Sequence, residues 1–228
     1  MNEVLIFGTG DIGQLAHYYM MHDSSFDVVA FCADAAFIAS GQFMGLPVVP
    51  FEEVENFYPP DNFDMFVALS YSKLNQVRSQ KYCEAKEKGY KLISYVCSRS
   101  VTWSDLDVGE NCFIFENQTI QPFVKIGNNV TLWSGNHIGH HSTIEDHCFL
   151  TSHVVVSGHV TIGHSSFLGV NSTIRDGIRL APYSVIGAGA TIVRDTVERG
   201  VYTGISANLR ADNGQTIKYF TDTKYSSR

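Results

Sequence analysis

Seven of the nine histidines fall between His137 and His164. An imidazole titrates near neutrality, so it can take a proton from a nucleophile, and when neutral it can ligate a metal. His141, His147, His153 and His159 recur every six residues, and His140 stands directly before the first of them. A second candidate lies at the start, where Val4-Leu5-Ile6-Phe7 runs into Gly8-Thr9-Gly10-Asp11-Ile12-Gly13. Glycines spaced G-x-G-x-x-G between a strand and a helix let backbone amides approach a phosphate at the helix N-terminus. Asp34, at the end of the next apolar run, is placed to hydrogen-bond a nucleotide. A tight strand-to-helix turn with no ligand is the other reading of the same glycines.

Both sets of residues need elements to hold them. Stepping by six from Val108 to Ile192, fifteen consecutive positions are aliphatic without an insertion. If about a third of residues were aliphatic, the odds of this are on the order of one in ten million. The residue two before each step is mostly small or short (Cys112, Ser142, Ser166, Ser172), and the residue after it is often Gly (Gly109, Gly127, Gly139, Gly163, Gly169, Gly187), read here as a corner. An α-helix cannot keep a sixfold column on one face, so the pattern predicts a hexapeptide-repeat parallel β-helix.

Before it, the spacing predicts a helix to about His22 and a strand at Phe26 to Cys32. A strand at about Met65 to Leu69, a helix at about Leu74 to Lys88 and a strand at about Lys91 to Val96 follow. Residues 1–97 thus form a Rossmann-like α/β domain, 98–210 the β-helix domain and 211–228 an extension whose Tyr219 and Phe220 could dock on a neighbour. Ser98 to Asp105 is the expected hinge.

The whole chain has 228 residues, 44% apolar and 17% charged, with net charge −7. That is enough apolar material for a core, and no Lys/Arg cluster suits a nucleic acid or an anionic membrane. Five cysteines without a C-x-x-C pair argue against a thiolate zinc site and fit a reducing cytoplasm. The run Val4 to Phe7 is too short to insert in a membrane.

The hexapeptide pattern resembles the left-handed β-helix of hexapeptide-repeat acyltransferases. Together with the strand–GTGDIG–helix opening, it is similar to the sugar acyltransferases of the NeuD/PglD type. The resemblance implies triangular coils of eighteen residues, so that His141 stacks near His159 and His140 near Gly158. It implies an acetyl-CoA-dependent acyltransferase, as a homotrimer, with a nucleotide-linked amino-sugar held by Gly8, Thr9, Gly10, Asp11, Ile12 and Asp34. His140 in Ile138-Gly139-His140-His141 matches the catalytic base, with His141 where the family carries a carboxylate. Gly158 and Ala188 match positions that contact acetyl-CoA. No metal is expected.

O-acetylation of a sugar such as sialic acid is the alternative acceptor chemistry. A zinc site of the gamma-type carbonic anhydrase would need His159, His164 and a third histidine at position 123, which is Phe123. Stacking also predicts an Asp146–His164 carboxylate–imidazole pair. Trp133 could wall the sugar or cover the prism.

Overall fold

The computed structural model describes residues 2–206. The expected extension 211–228, with Tyr219 and Phe220, and the last residues of the expected β-helix domain lie outside the described residues.

Strand β1 (Asn2–Phe7) leads into α1 (Asp11–Asp23) and β2 (Phe26–Ala33), followed by β3 (Gln42–Phe43), β4 (Leu46–Pro50), α2 (Val54–Phe57), β5 (Asp64–Val67) and α3 (Gln76–Glu87). The sheet order is β3-β4-β2-β1-β5, parallel throughout except for β3 on β4. Val4, Leu5 and Ile6 are fully buried, as an unbroken apolar run requires of a central parallel strand.

Two sequence expectations shift. Helix α3 starts at Gln76, not Leu74, because Lys73, Leu74 and Asn75 take φ of 50°, 53° and 65°. The expected strand at 91–96 divides. Leu92 makes a single bridge to Met65, while β6 (Tyr95–Val96) leaves the sheet and pairs with Phe113–Ile114.

From there the chain winds into a triangular prism, the left-handed parallel β-helix the resemblance implied. Fifteen two-residue strands follow one another every six residues from Asp107–Val108 to Thr191–Ile192. Each pairs in parallel with the strand eighteen residues away, as Lys125 with Thr143 and His137 with Val155. The aliphatic column forms one continuous core, shared with the small column two residues earlier.

The corners are not made by the glycine column. Positive φ recurs every sixth residue from Asn111 to Gly189, three before each aliphatic, at Asn117, Phe123, Asn129, Gly135, His141, His147, His153, His159 and onward. Asn, His and Gly tolerate the left-handed region better than most residues. The periodic histidines therefore occupy a column selected by backbone geometry. Gly139 serves a different need: a Cβ there would stand 2.5 Å from the Ser157 carbonyl carbon of the next coil.

The prism faces are unequal. One face presents Phe113, Thr131, Phe149 and Phe167, and the N-terminal sheet and helices cover it. Tyr71 packs on Phe149 and Phe167, and Tyr19 on Phe113 and Phe115. Trp133 stacks on Phe115 at 4.6 Å within this same cluster, so it covers the prism. The expected hinge is also structured, since Val101 bridges to Thr119 and its N–H donates to the Gln118 carbonyl.

Asp23 ties α1 to this junction. Its carboxylate accepts from the Ser98 hydroxyl, the Tyr95 hydroxyl at 2.5 Å and the Ser98 N–H at 2.8 Å. Those bonds, the Ser98 hydroxyl's first, hold the Asp23 carboxyl below the usual carboxylate range. A depressed acid stabilises the fold above its unfolded pKa of about 3.9 and loses that contribution as pH falls further. Unfolding midpoints recorded from pH 7 to pH 3 should therefore drop more steeply below about pH 4 in the wild type than in Asp23→Asn. Parallel curves would contradict this role for Asp23.

Candidate active site

The prism edge opposite the covered face carries His140. Strands His137–Ile138 and Thr143–Ile144 belong to the other two faces, and the chain turns between them at residues 139–142. The His140 N–H donates to Gln121 Oε1 at 2.9 Å. Its ring Nδ1 lies 3.1 Å from His141 Nδ1, close enough for one ring to donate to the other. With the proton on His140 Nδ1, its Nε2 is a free acceptor.

That Nε2 faces Gly158, one coil later. A Cβ at residue 158 would lie 2.9 Å from His140 Nε2 and 2.8 Å from its Cε1, so the imidazole covers the glycine and any side chain there would displace it. The corner amides of His140 and His164 are each taken by the side chain nineteen residues earlier, Gln121 and Glu145. For Gly158 the corresponding residue is Gly139, and among the described residues no partner accepts from the Gly158 N–H. An exposed imidazole acceptor thus covers a buried glycine whose amide donor is unpaired. That combination can deprotonate a nucleophile and stabilise an oxyanion.

Asp176 completes the column. Its Oδ1 lies 3.0 Å from the same point above Gly158, reaching in from the coil after it. Sequence reasoning found His141 where the family carries the acid and did not pick out Asp176 in its place. The signal was present, since 176 lies two coils of eighteen beyond 140.

Several expected groupings are not assembled. His159 stays at this edge, its ring stacked on His141 at 4.9 Å, whereas His164 stands at the next edge against Tyr183. Phe123 lies on His141 at 4.6 Å, so the anhydrase-type set is not formed. The Asp146–His164 pair is absent among the described residues. Asp146 Oδ1 instead accepts from the Asn128 N–H at 2.7 Å. Those residues line a cavity of about 670 Å³ with Asp107, Lys125 and Glu145. Its carboxylates Glu145 and Asp146 already accept backbone N–H groups, and it has no counterpart of the His140–Gly158 pair. Ala188 is exposed at a third edge, so one chain does not bring it to Gly158.

The glycine motif builds a smaller cleft of about 180 Å³ lined by Gly8, Thr9, Asp34, Phe37 and Lys81. Gly8 has φ 118° and passes the Ala68 carbonyl so closely that a Cβ would lie 2.6 Å from that oxygen. Gly10 caps α1, and Asp11 is exposed in its first turn. Ile12 packs into the domain core rather than into the cleft. Asp34 pairs with Lys81 Nζ at 2.6 Å.

Residues 123–158 match the family described as bacterial transferase hexapeptide (six repeats), and residues 159–194 the hexapeptide repeat of succinyl-transferase. No curated protein is a significant match. Among solved structures, the acetyltransferase domain of PglB from Neisseria gonorrhoeae superposes with a TM-score of 0.80 at 20% identity, over 90% of this chain and 97% of that one. PerB from Caulobacter crescentus, in complex with CoA and GDP-perosamine, gives 0.78 at 21% identity, over 92% and 98%. This chain has their fold. The shared fold takes in both halves of the chain, the glycine-motif domain as well as the prism.

Proposed function

We propose that the protein is an acetyl-CoA-dependent N-acetyltransferase whose acceptor is the amine of a nucleotide-linked amino-deoxysugar. The observation that carries this reading is the His140 imidazole lying over Gly158, whose amide is unpaired among the described residues. Support comes from the fold shared with the PglB acetyltransferase domain and with PerB, whose structure holds CoA and GDP-perosamine.

In this reaction the amine nitrogen attacks the thioester carbonyl while His140 Nε2 takes its proton. The carbonyl oxygen becomes negative and accepts from the Gly158 N–H. When the tetrahedral adduct collapses, the C–S bond breaks and coenzyme A leaves as the thiol, taking the proton back from the imidazolium. Asp176 stabilises the transient imidazolium by its charge. No covalent enzyme intermediate and no metal are required.

The nucleotide belongs in the Gly8–Asp34 cleft, with phosphate toward the α1 N-terminus. This cleft sits in the domain that covers one prism face, while His140 lies on the edge that does not border that face. A sugar held by one chain therefore suits the His140 of another, which supports the homotrimer. An intracellular acyl donor fits a cytoplasmic location and a role in surface-glycan assembly.

Gly158→Ala should lower turnover at least about tenfold with little change in unfolding midpoint, since the added methyl displaces an exposed ring. Normal turnover would contradict the contact. The decisive assay is thiol release from acetyl-CoA with GDP-, UDP- and dTDP-linked amino-sugars. Release with one nucleotide series is expected; no release with any would overturn the reading.

A further inference from the structure

The ligand atoms of His140, His141 and His159 all lie within 4.8 Å of one another, and all three side chains are exposed. Rings 141 and 159 are stacked with an interplanar angle of 15°, and ring 140 stands edge-on to both, at 87° and 86°. We propose that these three imidazoles form a binding site for a divalent transition ion of the zinc class, and that its occupancy switches the His140 centre off.

Zinc bonds imidazole nitrogen at about 2.0–2.1 Å, which in a tetrahedron sets nitrogen–nitrogen edges of about 3.3 Å. The His140–His141 pair at 3.1 Å already meets this spacing. Rotation of the exposed rings closes the remaining edges. Left-handed corners fix the backbones beneath His141 and His159, one coil apart, so two of the three ligands are anchored in register. Imidazole suits zinc, nickel and copper rather than magnesium or calcium. Three ligands leave a fourth position open for water or a thiol. An ion held at His140 Nδ1 leaves the ring proton on Nε2, so that nitrogen can no longer take one from a nucleophile. This inhibitory consequence rests on the proposed acyl transfer; binding itself does not.

The test uses the full chain, freed of metal by a chelator, titrated with zinc chloride by calorimetry. One ion per chain is expected, with affinity at least about tenfold weaker in His159→Asn. Asparagine already fills the same corner column at Asn129 and Asn171, so the variant keeps its backbone. Cobalt(II) absorbance in the tetrahedral region should be lost in the same variant. Zinc should suppress thiol release by the wild type, reversibly with chelator, and less so in His159→Asn. Equal zinc affinity in both proteins, or none in either, overturns the site. Binding without inhibition overturns the switch. Binding by a chain that acetylates no sugar sustains the site and refutes the acyltransferase reading.

Discussion

Replacing His140 with alanine is expected to reduce turnover at least about a hundredfold, the lower end for a positioned general base. A sugar amine is mostly protonated at neutral pH, so attack requires a base within reach of its nitrogen. Within this edge, His140 is the imidazole whose Nε2 lies over Gly158. His141 and His159 stack on each other, and His141 also lies against Phe123. Because His140 is exposed, the substitution should change stability by no more than about 0.5 kcal/mol. Steady-state thiol release beside a thermal unfolding scan reads both quantities. Turnover within a few-fold of wild type would remove His140 from the chemistry, and a collapsed unfolding midpoint would make its role structural.

The largest expected effect on stability belongs to Arg78. Its side chain is fully buried between α3 and the prism, and among the described residues no carboxylate pairs with it. The guanidinium donates to the Asn129 carbonyl and to Asn129 Oδ1 at 3.0 Å, to Asn75 Oδ1 at 3.0 Å, and to the carbonyls of His147 and Cys148 at 3.1 and 3.3 Å. Burial pushes its pKa down to about 10, so it remains a cation at neutral pH. Arg78→Ala leaves these acceptors unpaired around a cavity and should cost about 3–5 kcal/mol. Arg78→Lys should recover only part of this, because an ammonium cannot span the same fork. Urea unfolding measures the difference, and a cost below about 1 kcal/mol would mean water replaces the bonds.

The prism was legible because a coil repeats one constraint fifteen times, and each repeat is written in the chain. The stacking of His140 over Gly158 followed from the eighteen-residue coil that the resemblance implied. The corner was misread because glycine is the most familiar turn residue. The true corner column mixes Asn117, Phe123, His141, Ser165 and Tyr183, which share no chemistry, only a tolerated backbone. For the same reason the sixfold spacing of the histidines marks the corner column, and within that column only residues one coil apart, such as His141 and His159, come together.

In the first half, β1, α1 and β2 followed directly from their apolar runs and glycines. The left-handed turn at Lys73–Asn75 did not, because it is stabilised by contacts absent from the local sequence. Asn75 donates to the carbonyls of Ser165 and Ser166, about ninety residues away. The docking of α3 through Arg78 is non-local in the same way, and no period announces it.

The central claim is that acyl transfer happens on the His140–Gly158 edge. The most direct measurement is a crystal structure of the protein with acetyl-CoA bound. The account predicts the thioester oxygen within hydrogen-bonding distance of the Gly158 N–H, with the carbonyl carbon beside His140 Nε2. A thioester seated instead in the cavity lined by Asp146 and His164 would contradict it.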